Sequence, residues 1–220
     1  MESIQVSDAA KWPYICMLYA GFKNDLSTLA IGTGTLISPV LILTAGHVVY
    51  DGHKGWASSV TARFRSDPAT DQPAATFRTT TQWTSVDASR PDSVESAYDV
   101  GVVVLKQPVD LTLGIRPLPV ETSNDSGLRA MTLSVAGYPA SPPPVGTLYG
   151  ASSTLSDLTP TRLHYPIATV DGMSGGPVYD FDVSSSTRTI RGVHTSLGSA
   201  LRITEGILSL LLDWKKEFRP

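Results

Sequence analysis

The sequence has almost no cysteine: Cys16 is the single one among 220 residues. A lone cysteine cannot form a disulfide within the chain, so the fold must be held together by packing alone. The segment from Met1 to Lys11 has no basic stretch followed by an apolar run, so no signal peptide is recognisable. These two absences favour a cytoplasmic protein, although a secreted protein whose leader had been removed would look the same.

Long hydrophobic runs and an excess of basic residues are also missing. No stretch approaches the roughly 18 consecutive apolar residues that a membrane span requires. The 17 Lys and Arg residues against 20 Asp and Glu give a formal net charge of −3, which disfavours binding to nucleic acid. We therefore expect no nucleic-acid and no membrane partner, and the oligomeric state stays open. With 41% hydrophobic residues the chain can form a globular core, which excludes intrinsic disorder.

What the sequence does contain is many short segments rich in valine, isoleucine and threonine. The 18 glycines and 16 prolines are spread between these segments rather than pooled in a linker. Many short strands separated by turn residues are typical of an all-β barrel or sandwich. The predicted strands are 14–20, 35–38, 41–44, 60–64, 75–83, 100–105, 131–137, 147–153, 162–165, 177–179 and 189–195.

One segment has the periodicity of a helix. Apolar residues recur at Ile207, Leu208 and Leu211, which places them on one wide face of a helix over 205–218. Thr204 can cap the first turn, and the basic residues of the last turn suit the helix dipole. We expect this helix to pack on the β body rather than on a membrane, because its polar face has few basic residues.

Three residues in separate segments are suited to catalysis. His47 follows the predicted strand 41–44, at a position from which a histidine can reach a cleft. Asp99 stands at the head of a nearly all-apolar strand, where a carboxylate is costly to bury without a partner. Ser174 lies in a glycine-rich segment whose tight turns can point backbone N–H groups at one spot, as a developing oxyanion requires. Taken singly, each also has an ordinary explanation as a surface histidine, a turn aspartate or part of a glycine-rich turn.

The order of the three residues is more informative than any one of them. His47, Asp99 and Ser174 are separated by 52 and 75 residues, a spacing that suits a base and an acid from one barrel and a nucleophile from a second. Trypsin-like enzymes have this order, whereas subtilisins and α/β-hydrolases have others.

With these motifs the sequence resembles the trypsin-like serine proteases of the chymotrypsin fold. The resemblance runs from about Trp12 to the end of the chain and rests on residues 32–38, 44–47, 98–100, 172–177 and 190–194. It implies an all-β fold of two six-stranded antiparallel barrels with a C-terminal α-helix. It also implies a single peptidase domain over 1–220, with the barrels at about 12–110 and 125–203 and the helix at about 205–218.

The resemblance further implies a role for each residue. His47 would be the general base and then the general acid, Asp99 would orient it, and Ser174 would attack the scissile carbonyl of a polypeptide substrate. The backbone N–H groups of Gly172 and Ser174 would hold the oxyanion. No cofactor and no metal ion is expected. The segment 32–34 lacks the continuation of a phosphate-binding loop, so we expect a strand in close backbone contact there.

Two positions point to one branch of this family. Val48 stands where the disulfide-rich extracellular members have a cysteine. Met173 stands where those members have an aspartate that pairs with a freshly cut N-terminus, so that activation step is not expected. The pattern is similar to that of the glutamyl endopeptidases, the group of the staphylococcal V8 protease.

Three positions concern the pocket that receives the substrate residue before the cut bond, and they predict the specificity of cleavage. Ala168 occupies the position of the acid that cleavage after Arg or Lys requires, so basic specificity is disfavoured. The resemblance assigns Thr169 and His194 to substrate binding, since a desolvated carboxylate needs hydrogen-bond donors and a partly cationic partner. We expect a preference for Glu, less so for Asp, and a raised pKa of His194 beside the bound carboxylate. Asp171 and the segment 196–198 depart from the family pattern and would weaken or narrow this pocket.

Two other functions stay open from the residues alone. A catalytically silent barrel can serve as a binding module, although such a module need not retain a complete set of His47, Asp99 and Ser174. The same residues can also hydrolyse esters rather than peptides. His194 itself has the alternative of being a buried structural histidine on a barrel strand.

Overall fold

The fold is described from a computed structural model, which covers residues 4–6, 12–23, 25–85, 97–141 and 146–219. In these ranges the strands are β1 (Ile4–Val6), β2 (Ile15–Phe22), β3 (Asp25–Ser38), β4 (Leu41–Thr44), β5 (Tyr50–Asp51), β6 (Gly55–Phe64), β7 (Gln72–Thr79), β8 (Gly101–Leu105), β9 (Leu133–Gly137), β10 (Leu148–Ser153), β11 (Asp157–Leu158), β12 (Arg162–His164), β13 (Pro177–Asp182), β14 (Thr187–Ser196) and β15 (Ser199–Arg202). The helices are α1 (Gly46–Val49), α2 (Thr81–Thr84), α3 (Asp125–Ala130) and α4 (Glu205–Glu217).

A closed barrel of six strands forms the first half of the molecule. The strand order is β2-β3-β4-β8-β7-β6, and β6 pairs back with β2 to close the barrel. Every residue of β4 and of β8 is buried. Strands covered on both faces need apolar side chains throughout, which is why these two lack the alternation of a half-exposed strand. The barrel was predicted to have six strands, and this is confirmed.

The second half is an eight-stranded antiparallel sheet in the order β1-β10-β9-β13-β14-β15-β12-β11. Within the described residues its two edge strands, β1 and β11, do not pair with each other, so this sheet is a half-barrel. It has two strands more than predicted, because β1 and β11 are short pieces added at its edges. The all-β class, the two barrel-like halves and the C-terminal helix are confirmed.

One predicted strand ends too late. The prediction for 75–83 included Trp83, but β7 ends at Thr79 and Trp83 lies in α2. The cause is Thr80, whose Oγ1 accepts the backbone N–H of Trp83 at 3.0 Å and so starts a helical turn.

Helix α4 lies where the periodicity placed it. Thr204 caps its first turn by accepting the N–H of Ile207 at 3.3 Å. The apolar face packs into the same core as the first barrel. The end of the helix also touches that barrel, since Arg78 of β7 lies 3.8 Å from Glu217 and stacks over the ring of Phe218. No helix in the described ranges is long and apolar enough to cross a membrane.

The two halves are joined closely at Thr33 of β3. Its Oγ1 donates to the carbonyl of Gly172 at 2.8 Å and accepts the N–H of Tyr138 at 2.9 Å. Its backbone N–H donates to the carbonyl of Ser174 at 2.8 Å. The segment 32–34 is thus a strand in close backbone contact with the second half, as expected.

Candidate active site

Two neighbouring strands of the first barrel build one half of the candidate active site. β4 leads into α1, which carries His47, and β8 is preceded by Asp99. Because Thr44 of β4 pairs with Gly101 of β8, the two side chains meet at the same end of the barrel. Asp99 Oδ2 lies 2.8 Å from His47 Nδ1, and Asp99 Oδ1 accepts the backbone N–H of His47 at 2.9 Å. These two contacts fix the carboxylate relative to both the ring and the backbone of the histidine.

Two consecutive threonines hold the chain on either side of Asp99. Thr79 Oγ1 donates to the carbonyl of Val100 at 2.7 Å, and Thr80 Oγ1 donates to the carbonyl of Tyr98 at 3.0 Å. Asp99 itself is only 5% exposed. A carboxylate buried to this extent requires partners, which the histidine supplies.

Burial and the neighbouring carboxylate act on His47 in opposite directions. Burial lowers its pKa, but the charge and hydrogen bond of Asp99, with a smaller contribution from Asp51, outweigh burial and hold the pKa of His47 above its usual range. On one side the imidazole faces the ring of Trp83, with centroids 6.3 Å apart. The imidazole is therefore an oriented base whose cationic form is stabilised.

The glycine-rich segment makes the tight turn that carries Ser174. Gly172 and Gly175 have φ angles of +92° and +87°, which residues with side chains rarely adopt. A Cβ at Gly175 would also collide with the carbonyl of Thr33 and with Thr44 Oγ1. Glycine at this position therefore lets the turn lie directly against the strands that lead to the histidine.

The turn presents two unused backbone donors. The N–H groups of Gly172 and Ser174 have no acceptor among the described residues. The carbonyls of the same two residues are both held by Thr33, which fixes the orientation of the turn. Two oriented N–H groups on one turn are what a developing oxyanion requires.

Ser174 lies beside the histidine segment, but its side chain is not joined to His47. Both segments pack against Gly32 of β3. A Cβ added there would lie 3.5 Å from the carbonyl oxygen of Ser174 and 2.9 Å from the methyl groups of Val48, the residue after His47. No hydrogen bond between Ser174 Oγ and the imidazole is found in the described part of the chain. Of the three predicted catalytic residues, two are hydrogen-bonded and the third is adjacent.

The two residues predicted to bind substrate, Thr169 and His194, both lie at the β14–β15 hairpin. Thr169 Oγ1 accepts the N–H of Gly198, in the hairpin turn, at 3.3 Å. His194 of β14 is 2% exposed, and its Nδ1 lies 2.6 Å from Tyr165 Oη. A β-bulge between His194 and Ser196 interrupts the pairing of this strand, as bulges beside active sites often do.

A profile of the trypsin-like peptidase domain matches residues 32–184, which include His47, Asp99 and Ser174. The chain belongs to the trypsin-like peptidase family. This match runs from within β3 through β8 of the closed barrel and includes β9 to β13 of the second sheet.

Two curated relatives of this trypsin-like peptidase come from bacilli. A glutamyl endopeptidase of Bacillus licheniformis is 27% identical over 97% of this chain and 67% of its own length. A protein of Bacillus subtilis named extracellular metalloprotease is 27% identical over 98% of this chain and 68% of its own length. An extracellular relative gives no support to the expected cytoplasmic location. Among the described residues, no three or more His, Cys, Asp and Glu side chains are grouped so that they could hold a metal ion.

Solved structures show the same fold. A Glu endopeptidase in complex with MPD superposes with a TM-score of 0.76 over 98% of both chains, at 22% identity. HL collagenase superposes with a TM-score of 0.71 over 99% of this chain and 97% of its own, at 16% identity. The protease Anisep from Arthrobacter nicotinovorans has a TM-score of 0.66 over 86% and 89% of the two chains, at 18% identity. The family match and the sequence relatives identify this trypsin-like peptidase as a serine endopeptidase, and the solved structures share its fold.

In the unliganded peptidase, burial sets the charge state of His194. Burial lowers the pKa of His194 to about 4, with a further lowering by the nearby His47 and Arg162. The sequence suggested a partly cationic residue, since opposite charge in a bound substrate favours the imidazolium. Without substrate the imidazole is neutral at neutral pH, because the ring has lost almost all contact with water.

The structure also shows the surroundings of the residues that depart from the trypsin pattern. Met173 is buried in the apolar core of the second sheet, where a carboxylate would need a cationic partner. Asp171 is exposed, and its carbonyl accepts the N–H of Ala140 at 2.8 Å. Leu197 projects from the hairpin turn and is also exposed.

Several supporting residues could not be found from the sequence. Thr33, Thr79, Thr80 and Tyr165 each hold a backbone or side chain of the site through a hydroxyl group. Threonine and tyrosine are common strand residues, so nothing in their spacing distinguishes them. For Thr33 the sequence did offer one signal. It stands between Gly32 and Gly34, in a segment expected to form a strand in close backbone contact.

Proposed function

We propose that this serine endopeptidase cleaves polypeptides with a triad of His47, Asp99 and Ser174 and prefers Glu, less so Asp, before the cut bond. The observation that carries the proposal is the pair of contacts between Asp99 and His47, 2.8 Å and 2.9 Å long, at the barrel end where the Ser174 turn packs. The order of the three residues along the chain, shared with trypsin-like enzymes, supports the same assignment.

In the proposed reaction the imidazole of His47 takes the proton of Ser174 Oγ while that oxygen attacks the scissile carbonyl carbon. The N–H groups of Gly172 and Ser174 stabilise the negative charge that develops on the carbonyl oxygen. The imidazolium then gives its proton to the leaving amine as the C–N bond breaks, which leaves an acyl-enzyme. A water molecule, deprotonated by the same ring, hydrolyses the ester and restores the serine. Asp99 stabilises the imidazolium and keeps its Nδ1 proton in place.

Support for an acidic preference comes from the pocket and from one relative. His194 belongs to the β14–β15 hairpin, Thr169 bonds to the turn of that hairpin, and Ala168 offers no acid to a basic substrate. A curated relative at 27% identity is named a glutamyl endopeptidase. A carboxylate bound here must exchange its hydration for hydrogen bonds, since an unpaired buried charge is costly.

A fluorophosphonate probe tests the nucleophile directly. We expect the probe to label Ser174, and we expect neither labelling nor turnover in Ser174→Ala, because a triad acts as a unit worth roughly 10⁶ in kcat. Asp99→Asn should fold normally and lose about 10⁴ in kcat through the wrong histidine tautomer. An unlabelled, inactive wild-type protein would favour a binding module, and turnover of esters but not peptides would favour an esterase.

A peptide library tests the specificity. Cleavage after Glu should dominate, with cleavage after Asp second. Asp171→Ser should improve acidic substrates if the exposed carboxylate repels them. Dominant cleavage after Arg, Lys or large apolar residues would overturn the acidic preference and leave the triad assignment intact.

A further inference from the structure

Two buried side chains of the pocket, Tyr165 and His194, are joined by a short hydrogen bond. Tyr165 Oη and His194 Nδ1 are 2.6 Å apart, and the residues are 3% and 2% exposed. The backbone N–H of Tyr165 donates to the carbonyl of Gly198 at 2.9 Å, so Tyr165 is anchored to the same hairpin that Thr169 touches. Nothing in the proposed triad chemistry uses this tyrosine.

The hydrogen bond between Tyr165 and His194 determines which ring nitrogen of the histidine carries the proton. Burial raises the pKa of Tyr165, so the side chain stays a phenol with one O–H to donate. Within the described residues His194 Nδ1 is the one acceptor in reach of that O–H group. A buried hydroxyl requires an acceptor, so Nδ1 accepts and carries no proton. The single proton of the neutral ring then sits on Nε2.

The charges around the ring oppose a second proton. His47 and Arg162 are cationic or can become so and disfavour an imidazolium, whereas Asp99 and a hydrogen bond from the ring to the backbone carbonyl of Ser199 favour it. Burial adds the largest contribution, and together these effects lower the pKa of His194 to about 4. An opposite charge a few ångströms away raises a pKa by about 1–3 units. Even beside a bound carboxylate, the ring therefore stays mostly neutral above about pH 7.

We propose that Tyr165 is a positioning residue that holds His194 as a neutral imidazole protonated on Nε2, and that this N–H, bonded to the backbone of Ser199 in the unliganded enzyme, donates to the acidic side chain before the cut bond when substrate binds. The inference rests on the proposed preference for Glu. It replaces recognition by a charged histidine with recognition by an oriented neutral donor. A carboxylate still gains over an amide, because a hydrogen bond to an ionised acceptor is about twice as strong as a neutral one.

The pH dependence of selectivity separates a neutral donor from a cationic one. The measurement is kcat/KM for two peptides that differ only in Glu or Gln before the cut bond, between pH 7 and pH 9. Titration of the triad affects both peptides and cancels in their ratio. We expect the ratio to stay constant within about twofold. A ratio that falls about tenfold per pH unit would require a titrating imidazolium and would overturn the proposal.

A conservative variant tests the role of the tyrosine. Tyr165→Phe keeps the ring and removes the hydroxyl, so we expect the Glu-to-Gln ratio to fall about tenfold, mainly through KM for the Glu peptide. Tyr14→Phe is the matched control, because its buried hydroxyl has no hydrogen-bond partner in the described residues. Equal losses on both peptides in Tyr165→Phe would show a merely structural role and contradict the proposal.

Nitrogen NMR of the histidine side chains reports the tautomer without any turnover. His194→Gln identifies the signals among the four histidines. We expect an unprotonated Nδ1 and a protonated Nε2 from pH 6 to pH 9, and loss of this single tautomer in Tyr165→Phe. The reverse tautomer, or a cationic ring at pH 7, would overturn the proposal. If the wild-type enzyme does not prefer Glu at all, the proposed specificity has failed; if it does, while the ratio or the tautomer disagrees, this inference alone has failed.

Discussion

At the scale of single residues, Gly175 is a position where the fold leaves no room for a side chain. Its φ of +87° and the collision of any Cβ with Thr33 and Thr44 act together. Gly55 has a similar φ of +77°, but a Cβ there would meet nothing within 4 Å. The two glycines therefore separate the cost of the backbone conformation from the cost of the collision.

We predict that Gly55→Ala lowers the free energy of unfolding by about 1–2 kcal/mol, the cost of a left-handed conformation. Gly175→Ala should cost more than about 3 kcal/mol and abolish turnover, because the Ser174 turn must move away from the barrel. Urea unfolding and peptide turnover measure the two effects. Equal losses in the two variants would mean that the close contact at Gly175 adds nothing to the free-energy cost of a side chain there.

His194 should make the peptidase less stable in mild acid. Its pKa is lowered to about 4 in the folded state, against about 6.5 in an unfolded chain. Between these values the unfolded chain binds more protons, so the free energy of unfolding falls as pH falls through this window, by about 3 kcal/mol at most. His47 has a raised pKa, so its contribution is complete below about 6.5 and does not change within the window.

Urea unfolding at several pH values between 4 and 7.5 measures this effect. His194→Gln should flatten the dependence, and the exposed His53→Gln serves as control. A wild-type slope that survives in His194→Gln would assign the acid sensitivity to other groups.

At the scale of elements, the capping residue of α4 offers a simple test. Thr204→Ala should lower the free energy of unfolding by about 1 kcal/mol, because the N–H of Ile207 loses its acceptor. For a chain of this size that corresponds to a Tm about 2–4 °C lower. Thr204→Ser keeps the hydroxyl and should restore the Tm, as calorimetry can show. A Tm unchanged in the alanine variant would mean that packing alone sets the start of the helix.

Elements with a strong pattern were predictable, and those set by one side chain were not. β8 and α4 have continuous apolar or periodic segments of five residues or more, and the structure has both. β1, β11 and β15 have only two to four residues, too few for a pattern to stand out. The end of β7 depended on a single hydroxyl, that of Thr80, which a propensity for strands does not register.

In the candidate site, the contact between His47 and Asp99 was predictable from the sequence, whereas the environment of His194 was not. Order and spacing predicted that His47 and Asp99 would meet, because neighbouring barrel strands place them at one end. The assignment of Thr169 and His194 to substrate binding remains a prediction. The neutral state of His194 could not be foreseen, since it depends on burial and on the charges of His47 and Arg162, which lie far from it in the chain.

At the scale of the whole molecule, the lone cysteine is a reporter of unfolding. Cys16 lies fully buried in β2, and burial raises the pKa of its thiol. We predict that a thiol reagent modifies native protein only at the rate of global opening, and that a reducing agent leaves the Tm of the monomer unchanged. Labelling followed by mass spectrometry checks the first point. Rapid labelling without denaturant, or a lower Tm under reduction, would contradict this account.

The order of the elements along the chain predicts when activity first becomes possible during biosynthesis. The first barrel leaves the ribosome early, but its apolar surface stays uncovered until α4 has been made, and the oxyanion turn is held by Thr33 only after the second sheet has folded. A growing chain thus carries the base and the acid long before it carries a positioned nucleophile. Hydrolytic activity should therefore begin only after the second sheet and α4 have been synthesised and folded onto the first barrel.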